Sequence, residues 1–160
     1  NLIQWGISPD RIHEAAENWQ PLDSGVQLCA VPAAHPKVMR HANGQLACVG
    51  YLLNFAGEKI YLAGDTGVTE EILEKLKNHG SVHTAFLPVN EHNFFRGRRG
   101  IIGNMSIREA FQMAMEIGAR QVVAVHWDMF EINSVDPAEI RIVYERMRPT
   151  FELLIDPAII

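Results

Sequence analysis

The chain has 160 residues, of which 48% are hydrophobic and 21% are charged. That composition predicts one globular domain that buries roughly 70% of the surface of its unfolded form, and it excludes a disordered or fibrous protein. The formal net charge of −5 argues against nucleic acid as a partner, because nucleic-acid-binding surfaces are basic over a whole face. The apolar stretches are strand-sized and fall short of the roughly 20 residues that cross a bilayer, so no membrane partner is expected.

The two cysteines, Cys29 and Cys48, both lie inside predicted strands. We expect buried free thiols rather than a disulfide, which suits a reducing compartment and a cytoplasmic location. The first residue is Asn1 rather than a methionine. We therefore expect a fragment of a longer chain, whose upstream targeting signal would not be visible here.

Strands and helices alternate along the first half of the chain. Ser8 as an N-cap and Pro9 at the first helical position predict a short helix over residues 9–17. The next predicted elements are strands at residues 26–31, 47–55 and 59–63, the last two joined as a hairpin by Ala56, Gly57 and Glu58. A helix capped by Thr69 is predicted at residues 70–78, and a strand at residues 84–89.

The second half begins with a long segment from Asn90 to Met105 that is rich in Gly and Arg and has no hydrophobic period, which predicts a functional loop. Ser106 and Glu109 form a capping box that opens a helix ending near Gly118. Its predicted inner face consists of Ile107, Ala110, Phe111, Ala114 and Met115.

A strand at residues 121–126 follows, and Asp136 begins another helix. The predicted inward residues of that helix are Ile140, Val143, Tyr144 and Met147, and a strand at residues 151–155 closes the chain. The sequence has no internal repeat, so residues 1–160 are predicted to form one α/β domain.

Three polar side chains follow predicted strands. Asp65 lies at a glycine-flanked turn after one strand, His126 ends another, and His35 follows the strand at residues 26–31. Sheet proteins bind ligands beyond the carboxyl ends of their strands, so these positions are suited to function. Histidine and aspartate at three such ends predict a metal site.

Each candidate also has a structural interpretation. Asp65 could instead accept hydrogen bonds from nearby turn amides, and His35, in a loop beside Pro36, could be an ordinary surface residue. His126 is harder to explain this way, because a buried imidazole needs partners and metal ligation is one common solution. Asp128 could be such a partner, or it could cap the following turn.

Three arginines, Arg96, Arg98 and Arg99, lie close together in a chain that is acidic overall. Guanidinium groups bind phosphate and carboxylate in a bidentate way, so this loop predicts an anionic small-molecule substrate. A solvated basic loop that pairs with acidic helices is the alternative, and the sequence does not separate the two.

Five segments together resemble the metallo-β-lactamase superfamily, and in particular the branch that includes L-ascorbate-6-phosphate lactonase. These segments are Gly50-Tyr51-Leu52-Leu53, Ala63-Gly64-Asp65-Thr66, Pro88-Val89-Asn90, Gly103-Asn104-Met105-Ser106 and His126-Trp127-Asp128. The resemblance implies that the chain forms the second half of an αββα sandwich, an α/β fold. The first two motifs of that family, His-x-His-x-Asp-His, do not occur in this sequence.

The resemblance also implies roles for individual residues. His35, Asp65 and His126 match metal ligands, with Asp65 bridging two divalent ions and acting with His126 in catalysis; the ions would be zinc or manganese, with iron also compatible. The resemblance is strongest around Asn90 and Asn104, so these two residues are expected to contact the substrate ahead of any single one of the three arginines.

The implied activity is metal-dependent hydrolysis of a sugar-phosphate lactone or similar ester. Two alternatives stay open: a phosphodiesterase of the same fold, and a non-catalytic half-domain that binds a partner. A homo-oligomer or a complementary N-terminal segment is the expected protein partner. The remaining histidines considered, His13, His79 and His83, are predicted to be surface residues.

Overall fold

The computed structural model describes residues 2–22, 25–100 and 104–155. Its centre is a mixed sheet of seven strands that neighbour one another in sequence order. The strands are β1 Gln20–Pro21, β2 Val26–Pro32, β3 Val49–Phe55, β4 Glu58–Leu62, β5 Thr84–Pro88, β6 Gln121–Val125 and β7 Glu152–Ile155. Strands β1 to β4 pair antiparallel, and β4 to β7 pair parallel. The predicted α/β class is confirmed.

The helices are α1 Glu70–Asn78, α2 Phe94–Arg98, α3 Ile107–Glu116 and α4 Pro137–Met147. The parallel strands advance across the sheet in one direction and crossovers between parallel strands are right-handed, so α1, α3 and α4 are expected on one face. The structure agrees, since α1 packs on β2, α3 packs on β5, and α3 contacts both α1 and α4. The predicted caps are also present, because the side chains of Thr69, Ser106 and Asp136 accept backbone hydrogen bonds at the three helix starts.

The two faces of the sheet have different surroundings. Under the helices, one row of side chains across five strands is fully buried, and it consists of Cys29, Leu52, Tyr61, Ala85 and Val122. The row on the opposite face is also apolar, and it consists of Ala30, Tyr51, Leu62, Phe86, Val123 and Leu154. Four members of that second row, Tyr51, Leu62, Phe86 and Leu154, are partly exposed. We call this second surface the open face.

The predicted helix over residues 9–17 is wrong. Only a 3₁₀ turn forms, at Pro9–Arg11, and the Ser8 hydroxyl donates to the carboxylate of Asp10 instead of capping a backbone amide. Residues 12–16 have no regular structure. The carbonyl of Ala16 accepts a hydrogen bond from Ala30 N in β2, at 2.8 Å. A tertiary contact with the sheet therefore prevails over the local helix signals.

The segment from Asn90 to Met105 is not wholly irregular, because it contains α2. The Asn93 side chain caps this helix by accepting from the amide of Arg96 at 3.0 Å, while residues 101–103 lie outside the described ranges. In α3, Met115 is exposed and Met113 is buried in its place. Met113 continues the three-residue spacing from Ala110, so the predicted inner face was wrong by this one residue.

Both cysteines are free, but only Cys29 is buried; Cys48 is exposed and precedes β3. Burial raises the pKa of the Cys29 thiol, which favours its protonated form. His13 is exposed as predicted. His79 is not a surface residue, since it is half-buried with its ring centroid 5.2 Å from that of Trp19. Burial also lowers the pKa of His79.

None of the helices in the described residues has the length and apolar character that spanning a membrane requires.

Gly50 fixes the approach of β3 to the end of β4. A Cβ added there would lie 2.7 Å from the carbonyl oxygen of Ala63 and 2.8 Å from that of Leu62, both backbone atoms that cannot rotate away. We predict that Gly50→Ala lowers the free energy of unfolding by about 1–3 kcal/mol, the usual cost of overpacking. Urea unfolding followed by circular dichroism measures the change.

Gly97→Ala is the matched control, because no atom lies within 4 Å of its added Cβ. That substitution should leave stability unchanged or slightly improved, since alanine favours a helix over glycine. Equal unfolding midpoints for Gly50→Ala and the unsubstituted protein would contradict the steric argument.

Candidate metal centre

The predicted strand-end residues lie at one edge of the sheet. Strand β2 is antiparallel to β3 and β3 is antiparallel to β4, so β2 has the same direction as β4, β5 and β6. The carboxyl ends of these four strands therefore share an edge. His35 follows β2, Asp65 follows β4, Asn90 follows β5 and His126 follows β6.

Asp65 and His126 are in direct contact. Nε2 of His126 lies 3.3 Å from Oδ1 of Asp65. The histidine side chain is only 8% exposed, whereas the aspartate side chain is 53% exposed. The pair thus joins a buried imidazole to a carboxylate that solvent can reach.

The backbone of His126 has an unusual conformation. Its φ is +67°, in the left-handed region that residues other than glycine rarely adopt. A left-handed residue costs on the order of 1–2 kcal/mol, so surrounding contacts must hold it. The Asn90 side chain supplies one, because its Nδ2 donates to the carbonyl oxygen of His126 at 2.9 Å and to that of Asn133 at 3.3 Å.

Asn104 connects this amide to the carboxylate. Its Nδ2 donates to Oδ1 of Asn90 at 3.0 Å and lies 3.4 Å from Oδ1 of Asp65. Together with the contact between Asp65 and His126 and the bond from Asn90 to the His126 carbonyl, these bonds close a ring of four residues, which we call the site ring. Asn90 is 1% exposed and Asn104 is 4% exposed. Both asparagines were predicted to bind substrate, and in the structure their side chains contact each other, Asp65 and the backbone of His126.

His35 lies beside the turn that carries Asp65 without joining the ring. Its side chain is exposed, while its neighbour Ala34 donates its amide to Oγ1 of Thr66 at 2.8 Å and accepts a hydrogen bond from Gly67 N at 2.8 Å. Thr66 is fully buried. The hydrogen bond between Thr66 and Ala34 was not predicted from the sequence, although a threonine directly after a strand-end aspartate is a signal for it.

The donor set of the ring suits a divalent cation. Imidazole nitrogen and carboxylate oxygen are ligands for zinc, manganese and iron, and Nδ1 of His126 is buried without a hydrogen-bond partner among the described residues. Within those residues, no group of three His, Cys, Asp or Glu side chains lies close enough together to hold a metal ion. His35, Asp65 and His126 thus fit by chemistry, with the Asp65–His126 pair in place and the His35 imidazole apart from it.

The three arginines have different surroundings. Arg96 forms an ion pair with Glu91, and the guanidinium of Arg98 lies 5.8 Å from the ring centroid of Phe94. The exposed side chain of Arg99 has no hydrogen bond or ion pair with the described residues. Among the described residues, Arg96 is thus the one of the three with an anionic partner, Arg98 has only a ring contact, and Arg99 has neither.

Two neighbours of His126 differ from the expectation. Asp128 is exposed and has no contact with the imidazole in the described part of the chain, so Asp65 is the carboxylate partner of His126. The ring of Phe130 lies 5.7 Å from the imidazole, centroid to centroid. No periodicity marks Phe130, because it follows the predicted strand at residues 121–126 in an irregular segment.

Comparison with known proteins agrees with this geometry. Residues 3–127 match the family described as "Beta-lactamase superfamily domain". The chain belongs to the metallo-β-lactamase superfamily.

Its relatives include a metal-dependent hydrolase of Thermococcus onnurineus, 31% identical over 127 residues, which are 78% of this chain and 51% of that protein. Another, from Alkaliphilus metalliredigens and also named a metal-dependent hydrolase, is 28% identical over 110 residues, which are 66% of this chain and 44% of that protein. The chain therefore spans about half the length of the curated relatives it matches.

Solved structures show the same fold. A metallo hydrolase from Ignicoccus hospitalis superimposes with a TM-score of 0.71 at 22% identity, covering 96% of this chain and 60% of that one. An isothiocyanate hydrolase from Delia radicum gut bacteria superimposes with a TM-score of 0.64 at 15% identity, covering 89% of this chain and 56% of that one.

The site ring makes a prediction about Asn90. Replacing it with alanine removes the donor that holds the left-handed His126, and loss of such a supporting contact typically weakens metal binding by about 10- to 100-fold. We expect that loss for zinc in Asn90→Ala, measured by competition with a chromogenic chelator. Asn43→Ala, at an exposed turn, is the control and should bind zinc as the unsubstituted protein does.

Thermal unfolding of both variants separates positioning from general destabilisation. If zinc affinity in Asn90→Ala were unchanged, or fell only in proportion to a loss of folded protein, Asn90 would have no positioning role.

Proposed function

We propose that the protein is a metal-dependent hydrolase that cleaves an ester or lactone of an anionic small molecule. The observation that carries this proposal is the contact of 3.3 Å between His126 and Asp65 at the sheet edge. It is supported by membership of a superfamily in which the relatives named above are called metal-dependent hydrolases. The lactone is the substrate expected from the resemblance to the lactonase branch.

The metal ions in this proposal are two divalent cations, zinc or manganese, with iron also compatible. His35, Asp65 and His126 would hold them. When bound, such ions polarise the scissile carbonyl and make hydroxide available at neutral pH.

The protein's own groups orient the reactants. The exposed carboxylate of Asp65 accepts a hydrogen bond from the attacking water and takes its proton as the new carbon–oxygen bond forms. When the ester carbon–oxygen bond breaks, that proton passes to the leaving oxygen, which becomes the hydroxyl of a separate alcohol from an ester or of the opened chain from a lactone. The site ring keeps the carboxylate and the imidazole of His126 in place throughout, so little reorganisation is needed at the moment of reaction.

The arginine loop would bind the anionic group of the substrate. Arg96, Arg98 and Arg99 follow β5 in the same loop as the site-ring residue Asn90. Guanidinium groups bind carboxylate or phosphate through paired N–H donors.

We also propose that the open face packs against a second protein layer, either another copy or a complementary N-terminal segment. A contiguous apolar row of this kind is typical of an interface. Sedimentation velocity that showed only monomer at all concentrations would exclude the second copy. A cytoplasmic location remains part of the proposal and could be checked by cell fractionation.

The hydrolase proposal is tested by Asp65→Asn, which keeps the size of the side chain and removes its charge. We expect kcat/KM for 6-phosphogluconolactone, measured by proton release, to fall by about two orders of magnitude or more, as when a group specific to the transition state is lost. Asp128→Asn, an exposed carboxylate near His126, is the matched control and should keep full activity.

Full activity in Asp65→Asn would refute the proposed role of the site. Cleavage of bis(4-nitrophenyl) phosphate without cleavage of the lactone would instead establish a phosphodiesterase.

A further inference from the structure

An open pocket adjoins the metal centre. Its volume is about 710 Å³, and it is lined by Glu91, Asn93, Phe95, Arg96, Arg99, Glu131 and Ile132. That volume lies within the range of roughly 300–1,000 Å³ found for small-molecule sites. Two connections join it to the site ring. Glu91 directly follows Asn90, and the carbonyl of Asn133 accepts both from the Glu91 amide at 3.0 Å and from Nδ2 of Asn90 at 3.3 Å.

The pocket has exposed apolar walls. Phe95 is 70% exposed and Ile132 is 59% exposed. Phe130, which is 55% exposed and lies against the His126 ring, continues this surface towards the metal centre. When a ligand covers exposed apolar surface, the binding free energy becomes more favourable by about 25 cal/mol for each Å² covered. These three side chains therefore favour a ligand with an apolar part.

The charges of the pocket select among anions. Arg96 and Glu91 neutralise each other as an ion pair. Of the other two charged residues in the lining, Arg99 is positive and Glu131 is negative, and neither has a side-chain ion pair with the described residues. One unpaired cation beside one carboxylate matches a single negative charge better than the double charge of a phosphate monoester.

We infer that this pocket binds the non-reacting part of the substrate, and that this part is an apolar group carrying one negative charge, which Arg99 holds. The reacting ester would then lie at Asp65 and His126, with the apolar group along Phe130, Ile132 and Phe95. The inference rests on the proposed function for its reacting end. It names a singly charged amphiphile as the preferred substrate class.

The test measures binding rather than hydrolysis. Three ligands with the same eight-carbon chain are compared by isothermal titration at pH 8: octane-1-sulfonate with one charge, octyl phosphate with two, and neutral octan-1-ol. Sulfonate is a poor metal ligand, so its binding reports on the pocket. The variants are Arg99→Gln, Arg98→Gln, and Arg120→Gln as a matched exposed arginine before β6.

We expect the sulfonate to bind more tightly than the other two ligands, with a dissociation constant that rises about tenfold in Arg99→Gln, the loss of one charge-assisted contact. Arg120→Gln should leave it unchanged, and Arg98→Gln should have a smaller effect than Arg99→Gln. The affinity for octan-1-ol should be the same in all three variants. Ile132→Ser should weaken the binding of all three ligands, because it shortens the apolar wall.

The inference is overturned if the sulfonate does not bind, if Arg99→Gln has no effect, if Arg98→Gln has an equal effect, or if octyl phosphate binds more tightly. If the sulfonate binds in a way that depends on Arg99 but the protein has no hydrolytic activity, only the proposed function is refuted. Hydrolysis without such binding would refute only the assignment of the pocket.

Discussion

The side-chain amide of Asn90 connects the ends of three strands, and the geometry of the candidate metal centre depends on it. Its Nδ2 donates to the His126 carbonyl after β6, and its Oδ1 accepts from Asn104, whose amide reaches the Asp65 carboxylate after β4. Asn90 is buried with both its amide nitrogen and its amide oxygen hydrogen-bonded, and an unpaired amide there would cost about 1–3 kcal/mol. That cost favours one arrangement, and in that arrangement the imidazole of His126 contacts Asp65.

The sheet topology is what makes such a connection feasible. Parallel pairing from β4 to β7 brings successive carboxyl ends to one edge, and right-handed crossovers put the helices on one face. Strand β2 has the same direction, so the loop at Ala34 reaches the buried hydroxyl of Thr66. Gly50 lets β3 approach the end of β4 closely. The same topology leaves the apolar row through Tyr51 and Phe86 on the open face.

The sequence predicts the elements that local signals define. Thr69 and Ser106 cap their helices as expected, because capping depends on residues only three positions apart. Strand-end positions could also be predicted for Asp65 and His126, and strand direction then brings them together. The local sequence could not exclude a helix over residues 9–17. What prevents the helix is a distant contact, the hydrogen bond from Ala30 N in β2 to the carbonyl of Ala16.

The site ring and the pocket could not be predicted from the sequence either, because both depend on contacts between residues that are far apart in the chain. Asn90 and Asn104 were expected near the substrate, yet their side chains bond each other across a long loop and face inward. Phe130 reaches His126 from an irregular segment without any period. The three arginines look equivalent in the sequence, and only the neighbours Glu91 and Phe94 distinguish Arg96 and Arg98 from Arg99.

The central claim is that Asp65 and His126 bind a divalent metal. The most direct measurement is metal content by plasma mass spectrometry, after dialysis against metal-free buffer, on the unsubstituted protein, His126→Ala and the exposed control His13→Ala. We predict at least one zinc, manganese or iron ion per chain in the unsubstituted protein and in His13→Ala, and its loss in His126→Ala. Equal metal content in His126→Ala, or no metal in the unsubstituted protein, would contradict the account.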